Sequence, residues 1–132
     1  SFMSPSSPSF PRCFEYILVF CKSRKLMHNG KITIEKKEFI DWSNGMWSFN
    51  CENLKKIGHP AAYPIELPKR CIRLFTYEDD IILDPFIGSG TTAIAAIMEN
   101  RRFIGFEMSE DYYKIAEERI VNLQSELSEK LF

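Results

Sequence analysis

No stretch of the 132 residues approaches the about 18 consecutive apolar residues that a membrane-crossing helix requires. The opening residues carry no basic-then-apolar secretion signal, so a soluble, cytoplasmic chain is expected, with no membrane partner. Four cysteines, Cys13, Cys21, Cys51 and Cys71, form no C-x-x-C pair. Their intervals exclude the usual zinc spacings and leave buried, reduced thiols as the expectation. Only two histidines are present, His28 and His59, and no metal site is expected. The seven prolines stand at 5, 8, 11, 60, 64, 68 and 85, so no two are adjacent. Beyond a Ser/Pro-rich opening there is no low-complexity tract, and there is no internal repeat. Apolar residues make up 45% of the chain, enough for one core and one domain over residues 1–132.

A net charge of −1 conceals a division. Residues 1–76 hold 12 Lys plus Arg against 6 acids, whereas residues 77–132 hold 5 against 12. The basic half gathers Lys22, Arg24, Lys25, Lys31, Lys36 and Lys37 around a turn at Asn29-Gly30. Such a cluster suits phosphates and a salt-dependent affinity, although lysines on a solvated hairpin have the same composition.

What the sequence has is concentrated at residues 81–93. Ile81-Ile82-Leu83 ends in an acid, Asp84, and opens at once into Pro85-Phe86-Ile87-Gly88-Ser89-Gly90-Thr91-Thr92-Ala93. This reads as a strand feeding a ligand loop and then a helix. Gly88, Gly90 and Ala93 fit G-x-G-x-x-G/A: the first residue permits a tight turn, the second lets a ligand approach the backbone, the third lets helix and strand pack closely. A second acid, Glu107, ends the next apolar run, Phe103-Ile104-Gly105-Phe106, about where a carboxylate can take ribose hydroxyls. A merely structural turn needs neither Asp84 before it nor Glu107 at the next strand end. The pattern predicts an adenosine-bearing cofactor at the carboxyl ends of parallel strands.

Periodicity supplies the frame. Phe14 to Cys21 reads as a strand, and a hairpin at Asn29-Gly30 leads into the alternating Lys31-Ile32-Thr33-Ile34-Glu35. Trp42, Trp47 and Phe49 follow without clear helical spacing and either pack or stack on bases, with packing the better default. Leu67, Cys71, Ile72 and Phe75 mark one face of a helix starting near Pro64. A helix over Thr91 to Glu99 follows the glycine loop, and Ser109 caps a last helix whose stripe Tyr112, Ala116, Ile120, Leu123 and Leu127 packs inward.

The residues Asp84-Pro85-Phe86-x-Gly88-Ser89-Gly90-Thr91-Thr92 resemble the S-adenosylmethionine motif of DNA methyltransferases that modify adenine N6 or cytosine N4. The resemblance extends upstream to His59-Pro60-Ala61-Ala62-Tyr63-Pro64 with Glu66, Leu67 and Pro68, the segment that precedes the glycine loop when the motifs run in permuted order. It extends downstream through Arg102 to Glu107 and Tyr112 to Ile120, and Glu15 to Phe20 resembles a strand of the catalytic half. It implies an α/β, Rossmann-like methyltransferase fold, here an incomplete carboxyl-terminal portion, with a mostly parallel sheet and flanking helices. Residues 22–50 become a short target-recognition insert and residues 59–132 the cofactor-binding part.

The same resemblance implies roles. Backbone N–H groups of the Gly88–Gly90 loop and the following helix start suit the methionine carboxylate, and the hydroxyls of Ser89, Thr91 or Thr92 add hydrogen bonds. Asp84 accepts from the cofactor's ammonium or holds the loop, and Glu107 takes the ribose hydroxyls. Phe86 and Met108 wall the pocket or join the core, while His59 and Pro60 order the methionine end. The family's catalytic signature, an acid, Asn or Ser before Pro-Pro and an aromatic, is not among these residues, so no catalytic residue is expected here and the isolated chain is expected to be inactive. Implied partners are double-stranded DNA, an amino-terminal half or companion chain bearing that signature, and a second copy in a homodimer. A noncatalytic DNA-binding or regulatory partner and a nicotinamide-dependent oxidoreductase are the rival readings.

Overall fold

A computed structural model describes residues 15–22, 30–49 and 63–130. Its elements run α1 (Lys36–Trp42), α2 (Glu66–Phe75), β1 (Ile81–Asp84), α3 (Thr91–Met98), β2 (Arg102–Gly105) and α4 (Glu110–Glu129). Strands β1 and β2 pair in parallel, with Ile81 opposite Arg102 and Asp84 opposite Gly105. Helix α3 is the crossover between them, the connection a parallel pair requires. It packs on both strands and is flanked by α2 and α4.

The core is built of small side chains. Ala93, Ala95 and Ala96 are buried to 1% exposure or less, and Ile72 of α2 closes on Ala95 and Ala96 with help from Ile65, Ile82 and Phe103. Alanine in α3 lets helix, strand and neighbouring helix approach closely. Buried Arg101 fastens the far end, donating from Nε to Thr76 Oγ1 at 3.1 Å and from Nη2 to Thr76 O at 2.8 Å. Burial lowers the proton affinity of its guanidinium, an effect opposed by the negative charges of Glu99, Asp80 and Glu78.

Among the described residues only one face of the sheet is covered. Alternation along each strand turns Ile82 and Phe103 toward α3 and leaves Ile81, Leu83 and Ile104 exposed on the other side, with Leu83 at 61%.

Three expectations change. Glu15 to Cys21 joins no ladder among the described residues, because a strand exists only with a partner and apolar content alone does not supply one. Lys31 to Glu35 joins none either and leads directly into α1, where a helix was not anticipated. The overlooked signal was the capping pair Glu35-x-x-Glu38, with the Glu35 N–H donating to Glu38 Oε2 at 3.0 Å. Leu127 stands outside the packed stripe of α4, since that 20-residue helix outruns the body it packs against. Ser109 does cap it, accepting from the Tyr112 N–H at 3.4 Å.

Residues 31–49 fold onto α2. Arg73 donates to Glu38 Oε1 and to Thr33 O, each at 2.7 Å, and pairs with Glu99 of the turn after α3 at 3.4 Å. Arg70 places its guanidinium 5.3, 5.6 and 4.8 Å from the ring centres of Trp42, Trp47 and Phe49. The three aromatics therefore pack around a cation of α2. Among the described cysteines Cys21 is exposed, against expectation, and Cys71 is half-buried with its thiol pushed up by burial. Cys13 and Cys51 lie outside the described residues. No helix among the described residues is long and apolar enough to cross a membrane, and no described cluster of His, Cys, Asp and Glu could hold a metal ion.

Candidate functional site

The carboxyl ends of β1 and β2 stay linked beyond their ladder. The Phe106 N–H donates to Asp84 O and the Ile87 N–H to Phe106 O, both at 3.0 Å. The chain leaving β1 is thus drawn across the end of β2, and Ile87 is buried there although it lies in a loop. Gly105 makes the room: a Cβ on it would stand 3.1 Å from Ile87 Cβ and collide with its terminal methyl.

Two carboxylates frame the loop. Asp84 Oδ1 accepts the Phe86 N–H at 3.0 Å, the local side-chain turn that sets how the loop begins. Glu107 accepts the Gly88 N–H on Oε2 at 2.9 Å and the Ser109 N–H on Oε1 at 2.8 Å, so it ties the glycine loop to the cap of α4. A carboxylate offers about four acceptor positions. Glu107 uses two of them on backbone N–H groups and is thus a structural strut, which the sequence did not disclose.

The loop's interior differs from expectation in three respects. Gly90 sits at φ +84°, and a Cβ there would lie 3.0 Å from Ala116 Cβ and 3.2 Å from Ala116 Cα. Its lack of a side chain is required by the left-handed backbone and by α4 behind it. The hydroxyls of Ser89 and Thr91 do not turn toward the site. Both residues are buried against Arg119 of α4, whose Nη1 donates to Ser89 O, to Ser89 Oγ at 3.1 Å and to Thr91 Oγ1 at 3.5 Å. A partly buried guanidinium demands acceptors, and the loop supplies them. Finally, the N–H groups of Gly88 and Gly90 are engaged by Glu107 and by Ile87 O. The positive pole is therefore the first turn of α3, whose amides have no intrahelical acceptor.

Thr92 behaves otherwise. Its hydroxyl meets Tyr63 Oη at 2.7 Å, joining the segment before α2 to the start of α3. Burial raises the Tyr63 phenol above its ordinary range and the charge of Asp84 adds to this, against the Thr92 hydrogen bond. The phenol stays protonated at neutral pH, and either hydroxyl of the pair can be the donor. Tyr63 and Arg119 are the site-forming residues that sequence reasoning missed: each lay within a quoted segment, but only the fold shows what it touches. His59 and Pro60 lie outside the described residues.

Phe86 and Met108 are not core, at 86% and 102% exposure, and Pro85 is exposed beside them. Of the basic set, Lys22, Lys36 and Lys37 are exposed, while Lys31 pairs with Glu78 at 3.0 Å, and Arg24 and Lys25 lie outside the described residues. An apolar groove of about 830 Å³ between residues 15–19, α1 and α2 meets the glycine-loop region at Tyr63.

A parallel strand pair with a helical crossover, a glycine turn and an acid at each strand end defines a partial Rossmann-like, nucleotide-cofactor type of α/β protein. The family model described as DNA methylase matches residues 1–118, and the chain belongs to that family. It is 37% identical over 109 residues to the type II methyltransferase M.BglI of Bacillus subtilis, covering 81% of this chain and 30% of that protein. It is 36% identical over 95 residues to the type II methyltransferase M.PvuII of Proteus hauseri, covering 64% of this chain and 28% of that one. A Thermus thermophilus protein assigned as a DNA modification methylase, solved with S-adenosylmethionine, superposes with TM-score 0.58 at 32% identity, over 68% of this chain and 34% of that chain. The chain spans about a third of the length of the curated relatives it matches. Its fold is a portion of the Rossmann-like methyltransferase fold.

Proposed function

We propose that this chain is the cofactor-binding portion of a site-specific DNA methyltransferase that acts on the exocyclic amine of adenine (N6) or cytosine (N4) in double-stranded DNA. The observation that carries the proposal is the anchored Glu107 carboxylate standing across the glycine loop from Asp84, at the ends of adjacent parallel strands. Relatives in this family are named methyltransferases, and one structural neighbour was solved with S-adenosylmethionine.

The residues present fit that cofactor. Glu107, already oriented by two backbone N–H groups, accepts the ribose hydroxyls. The first-turn amides of α3 receive the methionine carboxylate, and Asp84 takes the ammonium. Exposed Phe86 and Met108 supply apolar surface for the adenine. When bound, S-adenosylmethionine supplies a methyl on a sulfonium: the carbon–sulfur bond breaks as the carbon–nitrogen bond forms, and the amine nitrogen releases a proton. This chain's task is to hold and orient, since the Pro-Pro-aromatic signature that grips the extruded base is absent from its sequence. That signature is supplied by an amino-terminal half or companion chain. Residues 22–50 serve as the target-recognition insert and 59–132 as the cofactor part, with exposed Lys22, Lys36 and Lys37 placed for phosphates.

Titration calorimetry on the complete protein tests the cofactor. S-adenosylmethionine or its demethylated product is expected to bind and NAD is not. Tight binding of NAD with none of the sulfonium compound sinks the proposal.

A further inference from the structure

The glycine loop is held from behind as well as framed from in front. Arg119 reaches from the third turn of α4 to the carbonyl of Ser89 and to the hydroxyls of Ser89 and Thr91, spanning 30 residues of sequence to Ser89. One turn earlier on the same helix, Ala116 closes against Gly90. The loop's polar atoms are thereby divided. Its Ser89 carbonyl and two of its hydroxyls face α4, and the first-turn amides of α3 are left as the positive pole of the site.

The structure assigns Arg119 as a positioning residue for the amino-acid end of the cofactor, acting through the loop and without touching the ligand. This rests on the S-adenosylmethionine reading above. Without Arg119 the Ser89–Gly90 peptide loses its partner on the α4 side and keeps the Gly90 N–H bond to Ile87 O at 2.9 Å, so the turn that sets the first amides of α3 is held less firmly. The guanidinium charge behind the loop also adds to the field that attracts that carboxylate. Glu107 and the adenine side of the site are served by separate contacts, so the effect should be confined to one end of the ligand.

The test compares two probes on the complete protein: S-adenosylhomocysteine, which carries the amino-acid group, and 5′-methylthioadenosine, which is a thioether of the same nucleoside without it. Arg119→Met should raise the dissociation constant of S-adenosylhomocysteine about tenfold while that of methylthioadenosine stays within about twofold, and Arg119→Lys should recover part of the loss. Amide exchange at Ser89 and Gly90 should quicken in the ligand-free Met variant. Equal weakening of both probes would show a merely structural residue and overturn the inference, as would no change in either. If the Met variant does not fold, the Lys variant is read by the same comparison, with S-adenosylhomocysteine weakened by less than about tenfold and methylthioadenosine unchanged. Failure of the unaltered protein to bind either probe strikes at the cofactor reading itself.

Discussion

Glu107 has a structural duty beside the ribose contact proposed for it. Its carboxylate is positioned by the N–H groups of Gly88 and Ser109, so it holds the loop to the cap of α4 before any ligand arrives. Replacement by Ala removes a ligand acceptor and orphans two backbone donors together. The expected result is a loss of about 1–3 kcal/mol in ligand-free urea denaturation, accompanied by cofactor affinity about ten to a hundred times weaker in calorimetry. Weaker binding with unchanged stability would show that the two backbone bonds contribute nothing to the fold. Unchanged binding would move the ribose contact to another residue.

At the scale of elements, residues 31–49 are attached to α2 by two arginines with different chemistry. Arg73 uses carboxylate and carbonyl partners, whereas Arg70 lies among three aromatic rings. Arg70→Ala should loosen residues 31–49 by about 1–2 kcal/mol and make them more sensitive to limited proteolysis, with cofactor affinity unchanged. A protease pattern identical to that of the native protein would assign the aromatics' packing to other contacts. Much of this level was legible beforehand. The glycine turn, the helices after Pro64 and Thr91, and the Ser109 cap all followed from local pattern and turn chemistry. What did not follow depended on partners distant in sequence. Among the described residues, the strand read over Phe14 to Cys21 joined no ladder, the hydroxyls of Ser89 and Thr91 turned toward an arginine on the last helix, and Gly90 proved to be packed against Ala116. Local rules place a residue on an element; they do not say which neighbour will claim its polar atoms.

For the whole molecule, the sheet face left exposed among the described residues and the absence of adjacent prolines from the sequence accord with the proposed division of labour. Ile81, Leu83 and Ile104 present apolar surface that a two-layer domain would bury. The 132 residues alone should transfer no labelled methyl to duplex DNA, and transfer should appear when a polypeptide carrying the Pro-Pro-aromatic segment completes the assembly. Robust transfer by the lone residues would place the chemistry within this chain. Silence from the complete assembly would favour a noncatalytic partner built on the same fold.

The notch at Gly105 also acts as a proofreader of strand alignment. A pair of short apolar strands is poorly defended against sliding, since a slip of two residues keeps every side chain on its own face. Such a slip would bring Phe103 or Glu107 beneath Ile87 in place of the bare backbone. Neither leaves space for the isoleucine, so the loop cannot shut over a misaligned sheet. The closed ligand turn therefore fits the native offset of the two strands and neither two-residue slip, so the geometry of the site encodes the register of the sheet beneath it.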